Sequence, residues 1–221
     1  MIFVIDFDGT LALDDTVDAL LEAHADPAWR TLESDWLADR ITAQECMRQQ
    51  IGLLRRDRLS LESYFSGIRI DPDFAAFRDQ VSGFAHVAIV SDGLDHAIHC
   101  ALRHAGQEGI PVYANRLGFL PDDRLELSFP YLSQDCASGN GVCKCAVARK
   151  LVARHGGPLV LIGDGKSDAC LAGVADLVFA KDSLARHCAK ERIAYTPFEN
   201  FADVGQALRA GVIDTRKFAV A

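Results

Sequence analysis

The 221-residue sequence predicts an α/β fold: a Rossmann-like, doubly wound, mostly parallel sheet with a small all-helical cap inserted after the first strand. Three observations carry this expectation. The chain opens on an unbroken apolar run, Ile2-Phe3-Val4-Ile5, as expected of a strand buried on both faces. From Asp15 to about Gln80, apolar residues recur only at helical spacing. Beyond Gly83, short apolar runs alternate with helical patterns, which implies parallel strands joined by right-handed crossovers.

Taken in order, the first strand, about Ile2 to Ile5, runs into Asp6-Phe7-Asp8-Gly9-Thr10. On spacing alone, Asp-x-Asp-Gly is ordinary turn chemistry. Two carboxylates this close nevertheless raise each other's pKa unless a cation, a shared proton or both relieve them. In the next span, Val17, Leu20 and Leu21, then Trp29, Leu32, Trp36 and Leu37, then Ile41, Met47, Ile51 and Leu54 keep helical period, while Pro27, Gly52, Gly67 and Pro72 cut it into short helices. Residues 14–81 are therefore expected as the cap, and 1–13 with 82–221 as the catalytic core. In the core, a strand at His86–Val90 precedes a helix at Asp95–His104 closed by Gly106. A strand at Pro111–Ala114 follows, then a hairpin pairing Tyr113–Phe119 with Leu125–Phe129. A helix from about Val142 to His155 has its amino end marked by Ser138-Gly139-Asn140-Gly141 and is stopped by Gly156-Gly157-Pro158. Strands at Leu159–Ile162, Leu177–Ala180 and Ile193–Tyr195 complete the pattern.

Composition narrows the function classes. A chain 49% hydrophobic and 24% charged is a globular balance, long enough for one sizeable core plus an appended unit. A net charge of −8 argues against nucleic-acid and anionic-membrane partners. The short basic cluster Arg55-Arg56-Asp57-Arg58 reads as a solvated helix end. No stretch approaches membrane-spanning length, and no signal-peptide pattern opens the chain. Seven cysteines, an odd number in mostly apolar surroundings, fit reduced thiols and a cytoplasmic setting. Cys136, Cys143 and Cys145 form the one cluster, but Cys143 and Cys145 diverge on a helix, so a packing role is expected.

Ligands of open parallel sheets bind at the carboxyl ends of the strands. Three such ends carry polar residues: Asp6 and Asp8, then Ser91-Asp92-Gly93, then Gly163-Asp164-Gly165-Lys166-Ser167-Asp168. Lys144, near the start of its helix, reaches the same crevice. Carboxylate oxygens suit a hard divalent cation, while serine, lysine and backbone amides suit phosphoryl oxygens.

These residues, in this order, resemble the four motifs of the haloacid dehalogenase superfamily in its phosphatase branch, and the inserted helices resemble that superfamily's small cap. The resemblance spans essentially the whole chain and implies a Mg2+-dependent phosphomonoesterase acting on a small phosphorylated metabolite. It implies Asp6 as nucleophile forming an aspartyl-phosphate, and Asp8 as the acid and base that serves the leaving oxygen and the water. Asp6, the Asp8 carbonyl and Asp164 would hold the metal, with Asp168 ligating directly or through water. Ser91, Lys144 and the amides near Gly9 and Gly93 would bind phosphoryl oxygens. Within the superfamily the chain is similar to phosphoserine phosphatases and more so to the methionine-salvage phosphatases of 2-hydroxy-3-keto-5-methylthiopentenyl 1-phosphate, as in Leu184–Val204 with Tyr195-Thr196-Pro197-Phe198-Glu199. Where phosphoserine phosphatases carry a glutamate and a cap arginine, Asp15 and Gln50 align, with Arg48 nearby, so a substrate carboxylate would lack a guanidinium fork. Phosphoserine hydrolysis, phosphoryl transfer to another metabolite, and a phosphate sensor without turnover are the alternatives.

Overall fold

The computed structural model describes residues 1–54, 56–134, 136 and 139–211. Arg55 of the basic cluster and Ser138 of the expected helix start lie outside the described residues. Among the described residues, seven strands form one sheet in the order β4-β3-β2-β1-β5-β6-β7. β1 (Ile2–Ile5) is central, parallel to β2 (His86–Leu94) on one side and to β5 (Leu159–Gly163) on the other, with Ile2 opposite both His86 and Leu159. β3 (Val112–Phe119) and β6 (Leu177–Ala180) extend the parallel sheet outward. β4 (Leu125–Ser128) closes one edge as the antiparallel arm of the expected hairpin.

The other edge differs by a few residues from the sequence expectation. The last strand, β7, is Thr196–Pro197 rather than Ile193–Tyr195. The preceding helix α9 (Asp182–Glu191) ends with Arg192 in the left-handed region at φ 59°, and the Ile193 N–H donates to the Cys188 carbonyl at 2.9 Å. Residues 193–195 are thus taken up in leaving the helix.

Side chains alternate across β1 and separate two helical layers. Phe3 and Ile5 face α5 (Phe74–Val81), α6 (Asp95–His104) and α10 (Phe201–Arg209). Ile2 and Val4 face α7 (Lys144–His155), the short α8 (Ala169–Ala172) and α9. The first layer is tied by aromatic contacts, Phe3 to Phe77 at 5.3 Å and Phe74 to Phe201 at 5.0 Å, both edge-to-face. Such pairs contribute about 0.5–1.5 kcal/mol each beyond their burial.

The inserted helices are α1 (Thr16–His24), α2 (Trp29–Leu37), α3 (Ala43–Gly52) and α4 (Arg58–Ser66). Their interior residues Leu20, Leu21, Trp29, Ile51, Leu61 and Phe65 pack in one cluster with Leu94, Ala97 and Cys100 of the core and with Leu117 and Leu127 of the hairpin. Helix α5 falls inside the expected 14–81 span, yet its Phe74, Phe77 and Val81 belong to the sheet's own core. The two chain crossings between helical unit and sheet lie side by side: Ala12 bridges Ile70, the Leu13 N–H donates to the Arg69 carbonyl at 3.0 Å, and the Asp71 N–H to the Leu11 carbonyl at 2.9 Å. Asp71, buried, locks this junction by accepting from the Asp73 N–H at 2.8 Å and the Phe201 N–H at 3.0 Å.

Candidate active site

The apolar β1 delivers Asp6 to the carboxyl edge of the sheet with only 5% of its surface exposed. One carboxylate oxygen accepts from the Phe7 N–H at 2.8 Å, and the other lies 2.7 Å from Lys144 Nζ. Lys144 is the first residue of α7, two residues later than the expected start, and donates also to Asp168 Oδ1 at 2.6 Å. Asp92 fixes the segment entering α7 by accepting from the Val142 N–H at 2.8 Å. Burial alone would lower the Lys144 pKa, but Asp168, Asp6 and Asp92 more than reverse this and keep it an ammonium.

Asp164 and Asp168 follow β5. Gly163 has no space for a side chain, because a Cβ would fall 2.5 Å from Asp168 Oδ2. Asp168, fully buried, is held well above the ordinary carboxylate range by burial and then by the charge of Asp6. Asp164 is raised chiefly by burial and receives the Thr10 hydroxyl at 2.6 Å. Gly9, at φ +67°, lets the chain turn against Asp164, where a Cβ would stand 2.6 Å from Oδ2. Oxygens of Asp6, Asp164 and Asp168 lie within 4.8 Å of one another. Three carboxylates beside one ammonium leave an excess of negative charge on hard oxygen donors, and this set fits a divalent cation.

Asp8 is presented differently. Its Oδ1 accepts from both the amide and the hydroxyl of Thr16, at 2.9 and 2.5 Å. Burial and then the charge of Asp15 nonetheless push its pKa up to about 7, against the Thr16 bonds. Its other oxygen sits so close to Gly93 that a Cβ there would approach to 2.5 Å. Ser91, buried at the point where the pairing of β2 with β3 shifts, accepts from the Gly93 N–H at 3.0 Å.

Asp6, Asp8, Gly9, Ser91, Gly93, Lys144, Asp164 and Asp168 thus converge on one end of the sheet. The three cap candidates have other contacts. Asp15 is exposed and caps α1, accepting from the N–H groups of Val17 at 3.1 Å and Asp18 at 3.0 Å. Gln50 is buried in the helical unit, with its amide 3.5 Å from the Trp29 carbonyl. The Arg48 guanidinium lies over the Phe129 ring at 5.1 Å. Two residues escaped the sequence reading. Thr16 holds Asp8, and the only trace of it was a hydroxyl at a helix start. Asn115, buried in β3, donates to the Asp92 carbonyl at 2.6 Å and lies 3.4 Å from Met47 Sδ on α3; an amide in an apolar strand was the signal.

The sequence pattern of haloacid dehalogenase-like hydrolases matches residues 3–173, a span that contains all of these strand-end residues. The chain belongs to that family. This hydrolase is 31% identical over 227 residues to a 2-hydroxy-3-keto-5-methylthiopentenyl-1-phosphate phosphatase of Geobacillus kaustophilus, covering 95% of this chain and 96% of the relative. A protein of the same name from Exiguobacterium sibiricum is 35% identical over 207 residues, covering 90% and 92%. Among solved structures, a phospho-aspartyl intermediate analogue of phosphoserine phosphatase superposes with a TM-score of 0.67 at 19% identity, covering 95% of this chain and 97% of its own. The haloacid dehalogenase-like chain is a phosphoric monoester hydrolase.

Proposed function

We propose that this hydrolase transfers the phosphoryl group of a small metabolite monoester to Asp6 and then to water, and that its substrate is the methionine-salvage enol phosphate named for its relatives. The observation that carries the mechanism is Asp8: a carboxyl two residues beyond the nucleophile, held by Thr16 and pushed up to about 7, so that it keeps a proton for a leaving oxygen near neutral pH. After transfer, the same carboxylate is placed to take a proton from water. Ser91 and the amides at Gly9 and Gly93 orient the phosphoryl oxygens, and Lys144 offsets their charge while holding Asp6 and Asp168 in place. Asp6, the Asp8 carbonyl, Asp164 and Asp168 would hold Mg2+, which when bound supplies further charge compensation at the transferring group.

The substrate reading rests on relatives that match this chain over nearly their whole length, and on the cap. Asp15 is engaged as a helix cap and Arg48 on an aromatic ring, an arrangement that suits a neutral carbon chain better than an amino acid. Phosphate release with Mg2+ from the enol phosphate, phosphoserine, phosphocholine and sugar phosphates tests this. A preference for the enol phosphate is expected, and faster release from phosphoserine would overturn it.

Asp8→Asn is expected to lower turnover of alkyl phosphates by about 10²–10⁴-fold. The loss should be far smaller for p-nitrophenyl phosphate, whose phenolate leaves without a proton. A folded-state pKa raised from 3.8 to about 7 favours folding at low pH, and that favour is lost as pH rises through 7. In chelator at pH 8, therefore, Asp8→Asn should be more stable than the parent by up to ~4 kcal/mol, with the difference shrinking toward pH 4. Urea unfolding at both pH values checks this, and equal stability at pH 8 would show that Asp8 is not strained by its burial.

A further inference from the structure

At the pole opposite the catalytic carboxylates, the amino ends of β1, β2 and β3 border a cleft of about 320 Å³. Its wall carries Arg78 from the last turn of α5, His86 at the start of β2, Tyr113 of β3, and Arg154 and His155 from the last turn of α7. Among the described residues, none that lines it bears a carboxylate, in a chain whose net charge is −8. The imidazoles of His86 and His155 stack with centroids 3.8 Å apart and planes at 32°. His155 is exposed, yet local desolvation, then His86 and Arg154, hold its pKa below the ordinary value, as expected where cationic groups meet.

The backbone adds a donor. His86 donates its N–H to Met1 on the β1 side and Ile89 donates to Pro111 on the β3 side, both at 2.9 Å. Alternation along a parallel strand places the Val87 N–H on the β3 side, where β3 begins only opposite Ile89. That N–H therefore faces the cleft, whose wall includes Val87. Arg78 is held in place by Gln107 at 3.2 Å and the Glu108 carbonyl at 3.0 Å. Helices α5 and α7 both end here, each contributing about half a negative charge, so two guanidinium groups leave roughly one positive charge in excess before either imidazole protonates.

We propose that this cleft binds a small oxyanion, inorganic phosphate or the phosphate group of a monoester, independently of the catalytic carboxylates. Guanidinium, imidazole and backbone N–H groups match the oxygens of a tetrahedral anion, and a bound dianion relieves the repulsion between the stacked histidines. The proposal does not depend on the identity of the substrate.

The test follows the His86 and His155 imidazole proton signals by NMR in the full chain carrying Asp6→Asn, in chelator, at constant ionic strength. Inorganic phosphate is the first probe and glycerol phosphate the second. Saturable shifts of both histidines are expected, with affinity about tenfold weaker in Arg154→Ala and in Arg78→Gln. With Asp6 intact, Arg154→Ala should leave turnover unchanged. Tighter binding of glycerol phosphate than of phosphate identifies a monoester as the ligand, and the reverse identifies the free anion. Shifts that never saturate, that chloride reproduces, or that keep their midpoint in both arginine variants overturn the proposal.

Discussion

Asp6→Asn should lower phosphate release by about 10⁴-fold or more while leaving the fold intact. Asparagine fills the same space, and its Oδ1 can still accept from the Phe7 N–H, so β1 and the turn after it need not move. What disappears is the Asp6 carboxylate oxygen that faces Lys144, the proposed nucleophile. Lys144 keeps Asp168 at 2.6 Å, so its charge remains paired. Asp168, which Asp6 pushes upward, should ionise more readily in the variant, and stability in chelator at pH 8 should equal or exceed that of the parent. Single-turnover phosphate release and urea unfolding measure the two halves. Activity within tenfold of the parent would remove Asp6 from the chemistry.

Lys144→Met should be the most destabilising change in the site. It leaves Asp6 and Asp168, 7% and 0% exposed in their side chains, facing each other with no ammonium between them. Breaking a buried charge pair in this way costs about 3–5 kcal/mol. The sign of the pH dependence separates electrostatics from packing. Asp168 already has a folded-state pKa above its ordinary value, and losing Lys144 raises it further, so the stability lost to the variant grows as pH rises through that value. Unfolding in urea should therefore show a deficit at pH 8 that narrows at pH 5, and added Mg2+ should recover part of it at pH 8. A deficit identical at both pH values and indifferent to metal would point to lost methylene packing instead.

The parts of the molecule legible in the sequence are those where one physical signal dominates. Ile2–Ile5 and Leu159–Ile162 are apolar on both faces, and only a central parallel strand requires that. Carboxylates placed directly after such strands reach the same edge by topology, so Asp6 and Asp164 could be brought together without coordinates. The rest depends on which neighbour a side chain finds. Phe74 and Phe77 have the same helical period whether they face the cap's interior or the sheet's, and only packing assigns α5 to the sheet. Asp15, Arg48 and Gln50 align by position with substrate-binding residues, but an alignment does not register that Asp15 caps a helix or that Gln50 points inward. Thr16 and Asn115 act through contacts with Asp8 and Asp92, and neither contact follows from spacing along the chain.

The inserted helices, α6 and the β3–β4 hairpin share one apolar interior. To part these layers, Leu61 and Phe65 must separate from Ala97 and Cys100, bringing apolar surface into contact with water. If substrate enters by parting these layers, its admission resembles a small, reversible unfolding step, with a positive heat-capacity change of its own. Where that step limits turnover, the temperature dependence of the rate bends, and cold slows the enzyme less than a straight extrapolation from warm temperatures would give.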